Sequence, residues 1–241
     1  MRVRGRRRCT ECGERWSYFE TGSPACPSCG SIQSVGVDDE RTLHTDAPST
    51  LDLTEARSML ADRPVGEVAG AAATSAREYL GARGFVHGGE LQPLDDEALA
   101  AAELKHVAGR LERALSVEEA EERHFLDLLA GAGGGARPAS VPPSLREARG
   151  LASVDVVAAY RRDVSAWLDE EEERIAGRRE SVGPVLARLR DHERRVSALE
   201  GDVSPAEADA LVAAARGIGN HLREGDDAAL AGAAERLDLL E

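Results

Sequence analysis

Four cysteines, the only four in the chain, fall between positions 9 and 29. They form two Cys-x2-Cys pairs, Cys9/Cys12 and Cys26/Cys29, with thirteen residues between the pairs. An x2 interval lets both thiolates of a pair point at one centre, with backbone amides turned toward the sulfurs. Gly13 and Gly30 follow the second cysteine of each pair, where glycine suits a tight turn with positive φ. Four sulfurs around a divalent ion make a closed tetrahedral site, the structural type for zinc, with no open position for catalysis. Disulfides compete with this assignment, but a reducing cytosol disfavours them. A CxxC redox pair also competes, yet two pairs at this spacing fit a ribbon better. One zinc per chain is the expected cofactor, held by Cys9, Cys12, Cys26 and Cys29. Iron is the alternative, since four-sulfur sites hold it too.

The residues between the pairs predict a hairpin arm. Arg15 to Glu20 include the strand-favouring Trp16, Tyr18 and Phe19, and Thr21-Gly22-Ser23-Pro24 predicts a turn. Ile32, Val35 and Val37 supply a third strand. So short a segment buries too little to fold alone, and metal binding, worth ~10–16 kcal/mol in small zinc modules, supplies the missing stability. Residues 9 to 30 resemble the zinc ribbon of transcription factor IIB type and the rubredoxin-type module, through Cys9-Thr-Glu-Cys12-Gly13, the Trp16-Ser-Tyr18 arm and Cys26-Pro-Ser-Cys29-Gly30. The whole layout is similar to an uncharacterised haloarchaeal family containing such a ribbon. That resemblance implies a fold and a metal, and no activity.

The formal charge is −14, from 30 basic and 44 acidic residues, and Lys105 is the only lysine. An acidic, lysine-poor, alanine-rich composition resembles proteins of organisms that keep molar salt in the cytoplasm; a GC-rich genome favouring arginine is the other source of such a bias. Six arginines and three glutamates lie before Val37 (net +3), leaving 24 basic and 41 acidic residues after it (net −17). A basic head on an acidic body suggests modules with different partners. Arg2, Arg4, Arg6, Arg7 and Arg8 beside an aromatic arm offer charge for phosphate and rings for stacking, with Phe19 the aromatic that strand alternation leaves outside the ribbon core; Arg4, Arg6, Arg7, Arg8 and Phe19 are the candidate contact residues. Salt opposes that use: five phosphate contacts lose roughly four and a half decades of affinity per decade of salt. A protein partner is therefore expected, with nucleic acid the alternative. No apolar run approaches the ~18 residues of a membrane span, and the charged N-terminus lacks the apolar stretch of a secretory signal. The chain reads as cytoplasmic.

The predicted fold is mainly α: a small N-terminal β zinc ribbon followed by a multi-helix bundle. Residues 1–37 form the ribbon with its arginine-rich tail, 38–53 a linker, 54–130 one helical subdomain, 131–143 a Gly/Pro-rich linker, and 144–241 a second subdomain with a long helical hairpin. Thr54 starts a short helix, and 65–83 forms another, with Val65, Val68, Ala72, Ala76 and Leu80 on one face and Gly84 as C-cap. Gly88-Gly89 marks a turn, or alternatively an anion-binding nest. Asp95 opens a helix, Ser116 and Glu119 make a capping box for the next, and Ser204-Pro-Ala-Glu207 opens a later one. Leu168, Ile175, Val182, Leu189 and Val196 recur every seven residues, a seam for an intrachain antiparallel pair, which Gly183-Pro184 should kink or split.

No Gly-rich phosphate loop, G-x-S-x-G or H-E-x-x-H is present. Glu103-x-x-His106 and Glu121-x-x-His124 place carboxylate and imidazole on one helical face, as in di-iron carboxylate bundles. Beside a rubredoxin-like module this is similar to rubrerythrin, whose paired motifs lie on well-separated helices rather than 18 residues apart. Surface Glu–His pairs are the simpler account. The sequence thus points to a non-enzymatic zinc-binding adaptor in protein or nucleoprotein assembly, with a rubrerythrin-like di-iron oxidoreductase as the alternative.

Overall fold

The computed structural model describes residues 1–170 and 176–240, so Ile175 of the predicted seam lies outside the described residues. The N-terminal part is a set of short strands. Strand β1 (Arg2–Val3) pairs antiparallel with β5 (Thr42–Leu43). Strand β2 (Arg6–Cys9) is the centre of a three-stranded antiparallel sheet between β3 (Arg15–Ser17) and β4 (Ser34–Gly36). The arginine-rich stretch is therefore no solvated tail. Its alternating side chains suit a strand, and its partners lie at sequence distances that local inspection does not reach. The predicted arm strand ends at Ser17, because Tyr18–Thr21 closes into one helical turn, α1, capped by Gly22 at φ 62°. A third strand forms around Val35, though Ile32 and Val37 stay outside it and Ile32 is 79 % exposed. The stretch 38–53 holds β5 and buries Leu43, His44, Leu51 and Leu53, so apolar anchors at wide intervals tie down a polar segment.

The helical part begins with α2 (Thr54–Ser58) and α3 (Val65–Ala82), followed by the hairpin β6 (Val86–His87) and β7 (Glu90–Leu91). Gly88 and Gly89 turn the hairpin at φ 59° and 90°. Their amides bond to His44 Nδ1 and the Leu43 carbonyl, so the glycine pair is a turn and not a nest. Gly84 is not the C-cap of α3, which ends at Ala82 with Arg83 as its cap; it is needed because a Cβ there would sit 2.3 Å from the Thr45 carbonyl. Next come α4 (Asp96–Arg113), α5 (Glu119–Gly131), α6 (Arg146–Glu170), α7 (Ala176–Ala198), α8 (Pro205–Glu224) and α9 (Asp227–Asp238). Asp95 and Ser204 accept the Ala98 and Glu207 amides and cap α4 and α8 as predicted. The box on α5 sits two residues later than predicted, with Glu118 and Glu121 exchanging both hydrogen bonds.

Helix α4 organises the core. Its Ala98, Leu99 and Ala102 belong to one apolar cluster with α6 and α8, while Ala100, Ala101, Leu104, Val107, Ala108 and Leu111 belong to another with α3 and α5. Alanine on both sides lets neighbouring helices approach closely while losing little side-chain entropy. Leu168, Val182, Leu189 and Val196 are all buried. Helices α6 and α7 run antiparallel, since Arg161 pairs with Glu193 and Arg179 with Asp169. Helix α7 continues through Pro184 instead of splitting. The proline is on the exposed side, where water can satisfy the carbonyl deprived of its partner.

Candidate metal centre

The two cysteine pairs meet at one end of the ribbon sheet. Cys9 ends β2, Cys12 follows in the tight turn before β3, and Cys26 and Cys29 sit in the loop leading to β4. Gly13 and Gly30 adopt φ 81° and 73° with open space around them, so the backbone conformation alone selects glycine there. The four sulfurs lie within 4.8 Å of one another. Cys9 and Cys29 are 3.7 Å apart and Cys12 and Cys26 3.5 Å apart. A tetrahedral ion with sulfur ligands at about 2.3 Å would separate its sulfurs by roughly 3.8 Å, so the donors present fit a metal ion. These distances are far beyond an S–S bond of about 2 Å, and the four thiols are free.

The thiols shift one another's ionisation, together with the amides around them. Hydrogen bonds from the Cys12 and Glu11 amides hold the Cys9 thiol at about 7. At Cys12 the Glu14 amide pulls down, yet the Cys29 and Cys26 thiols and burial together push it up to about 12. Cys29 is also raised, against the pull of the Ser31 amide. Four thiolates at this separation repel unless a positive charge sits between them. The amides are positioned to stabilise sulfur charge, and a cation held between the sulfurs would complete the balance.

The residues predicted for partner contact are scattered. Arg6 pairs with Asp38, and Arg7 bonds to Ser34 through its side chain and carbonyl. Arg4 lies over Gly36, and Arg8 is exposed. Phe19 is half-buried against the chain itself: its ring centroid is 4.8 Å from that of His44 and 6.0 Å from that of His87. Phe19 thus docks the ribbon onto the β6–β7 hairpin, which Trp167 of α6 anchors through its Nε1–H to the Gly89 carbonyl at 2.8 Å. Sequence reasoning missed His44 and His87, since nothing local marks a histidine as a docking residue.

The two Glu-x-x-His pairs do not gather at one place. Glu103, fully buried, accepts from His124 at 3.0 Å and pairs with Arg149 at 2.8 Å and Arg137 at 3.4 Å. His106 instead meets Asp155 at 2.8 Å, beside Lys105. Burial opposes ionisation of Asp155, but hydrogen bonds from His106 and Lys105 hold it at about 2. Glu121 serves the capping box and pairs with Arg110. Glu103 is a structural group: its contacts with His124 and Arg149 brace α4 against α5 and α6. Among the described residues, the side chains grouped closely enough to hold a metal are the four cysteines.

Among known proteins, the model of a family of unknown function, DUF7117, matches residues 1–237, nearly the entire chain. No curated protein and no solved structure matches it.

Proposed function

This chain belongs to DUF7117, a family of unknown function, and we propose that it works as a metal-held adaptor. Cys9, Cys12, Cys26 and Cys29 hold one zinc ion, and the ribbon so stabilised presents a surface to a partner in protein or nucleoprotein assembly. The observation that carries this is the convergence of four free thiols within 4.8 Å. An all-sulfur set fills every position of a tetrahedral ion, so the metal would organise the backbone and leave no site for substrate. The fold supports the same role, because Phe19 seats the ribbon on the β6–β7 hairpin, which Trp167 of α6 ties to the helical body. Free thiols also suit a reducing compartment such as the cytoplasm, and the acidic composition suits a salt-rich one.

The test is metal content. Protein purified without a histidine tag should carry about one zinc and no iron per chain by mass spectrometry. The Cys26→Ser/Cys29→Ser variant should carry none. Two irons that survive this substitution would overturn the adaptor and direct attention to Glu103, His106, Glu121 and His124.

A further inference from the structure

The ribbon sheet has two unlike faces. Along β2, Arg7 and Cys9 point one way and Arg6 and Arg8 the other. The first face carries Trp16, which lies opposite Arg7, and the sulfur site. On the second face Arg8 lies directly opposite Arg15 on β3 and Val35 on β4. Val37 continues this face beside Arg6, whose carbonyl accepts its amide. Arg6 is neutralised by Asp38, but Arg8 and Arg15 have no ion-pair partner among the described residues. Both are exposed. Like charges directly opposite across two strands destabilise a sheet. That two such arginines stay unpaired in a chain with 44 acidic residues is a local cost with no structural return. The aliphatics beside them are bare as well, Val35 being 42 % and Val37 38 % exposed.

We propose that this face docks an acidic, aliphatic segment of a partner protein. Arg8 and Arg15 pair with its carboxylates, while Val35 and Val37 cover its aliphatic side chains. The proposal rests on the adaptor reading and names the class of partner. Charge complementarity selects acid, and the valines select a peptide over a nucleic acid. Stacking of bases needs exposed rings, whereas Trp16 is on the other face and Phe19 is packed on His44. A contact that also buries aliphatic surface persists at molar salt, where purely phosphate-driven binding collapses.

The experiment uses full-length protein of measured metal content and fluorescence anisotropy. Three labelled probes are compared at low and molar salt: a short peptide alternating glutamate with leucine, an all-glutamate peptide of equal charge, and an oligouridylate of equal charge. The alternating peptide should bind saturably in both salts, and the all-glutamate peptide only at low salt. Arg8→Glu and Arg15→Glu should each weaken the alternating peptide about tenfold or more. Each also creates a cross-strand ion pair, so ribbon stability should hold or rise, separating recognition from folding. Val35→Ser should weaken binding chiefly at molar salt. Three results overturn the proposal: no peptide binding by metal-loaded protein, tighter binding of the oligouridylate, or variants that bind like the wild type. Protein without metal would overturn the adaptor reading itself.

Discussion

Glu103 shows how one buried charge can be read two ways. By spacing it is half of a metal-binding motif; by position it is a counter-ion held by His124, Arg149 and Arg137. Removing one partner of a buried ionic cluster leaves the others uncompensated in a low-dielectric interior. Glu103→Gln should therefore destabilise the protein by about 3 kcal/mol, seen as a lower urea midpoint with an unchanged denaturant slope. Metal content should not change, because the sulfur site is elsewhere. A variant that lost metal instead would show that Glu103 belongs to a metal site. The cysteines were legible at this scale because both pairs and their glycines act through neighbours two or three residues away. Phe19 was legible as an aromatic outside the ribbon core, but His44, which occupies it, is 25 positions further on.

Among the elements, caps formed from adjacent residues were readable, and pairing between distant segments was not. Asp95 and Ser204 sit three residues from the amides they accept. The box on α5 was misplaced because Ser116-x-x-Glu119 and Glu118-x-x-Glu121 overlap, and sequence alone does not say which one packing selects. Strand β1 finds β5 some forty residues away, and there His44 enters the ribbon's seat. Its Nδ1 accepts the Gly88 amide at 3.1 Å, and its Nε2 is buried without a hydrogen-bond partner among the described residues. Burial lowers the His44 pKa from its ordinary 6.5, helped by His87 and the N-terminal ammonium and opposed by Asp46. As pH falls below 6.5 the unfolded chain takes up this proton first, so stability is lost progressively down to the folded value. A protonated ring would also present a donor to the Gly88 donor. Urea unfolding across this window should show that decline, and His44→Gln, which keeps an acceptor but cannot titrate, should flatten it.

For the molecule as a whole, two apolar clusters sharing α4 give the helices a core that the ribbon does not supply. Stripping the metal with a chelator should leave the far-ultraviolet helical signal largely intact. Amide exchange should accelerate in β2, β3 and β4, because a ribbon this small that holds an ion would depend on it for its fold. Full helical collapse on chelation would show instead that the ribbon nucleates the body. By itself the sequence determined the mainly helical class, the cysteine cluster, the two correctly placed caps and the buried heptad positions it could be checked at. All of these follow from short-range spacing and periodicity. Only the tertiary structure decided that the arginine-rich stretch is a central strand, that Phe19 is a docking residue, that α7 passes through Pro184, and that the Glu-x-x-His pairs part company. Each of these depends on which distant surfaces exclude water from one another. Burial of that kind is settled by the whole packed chain, not by any window of it.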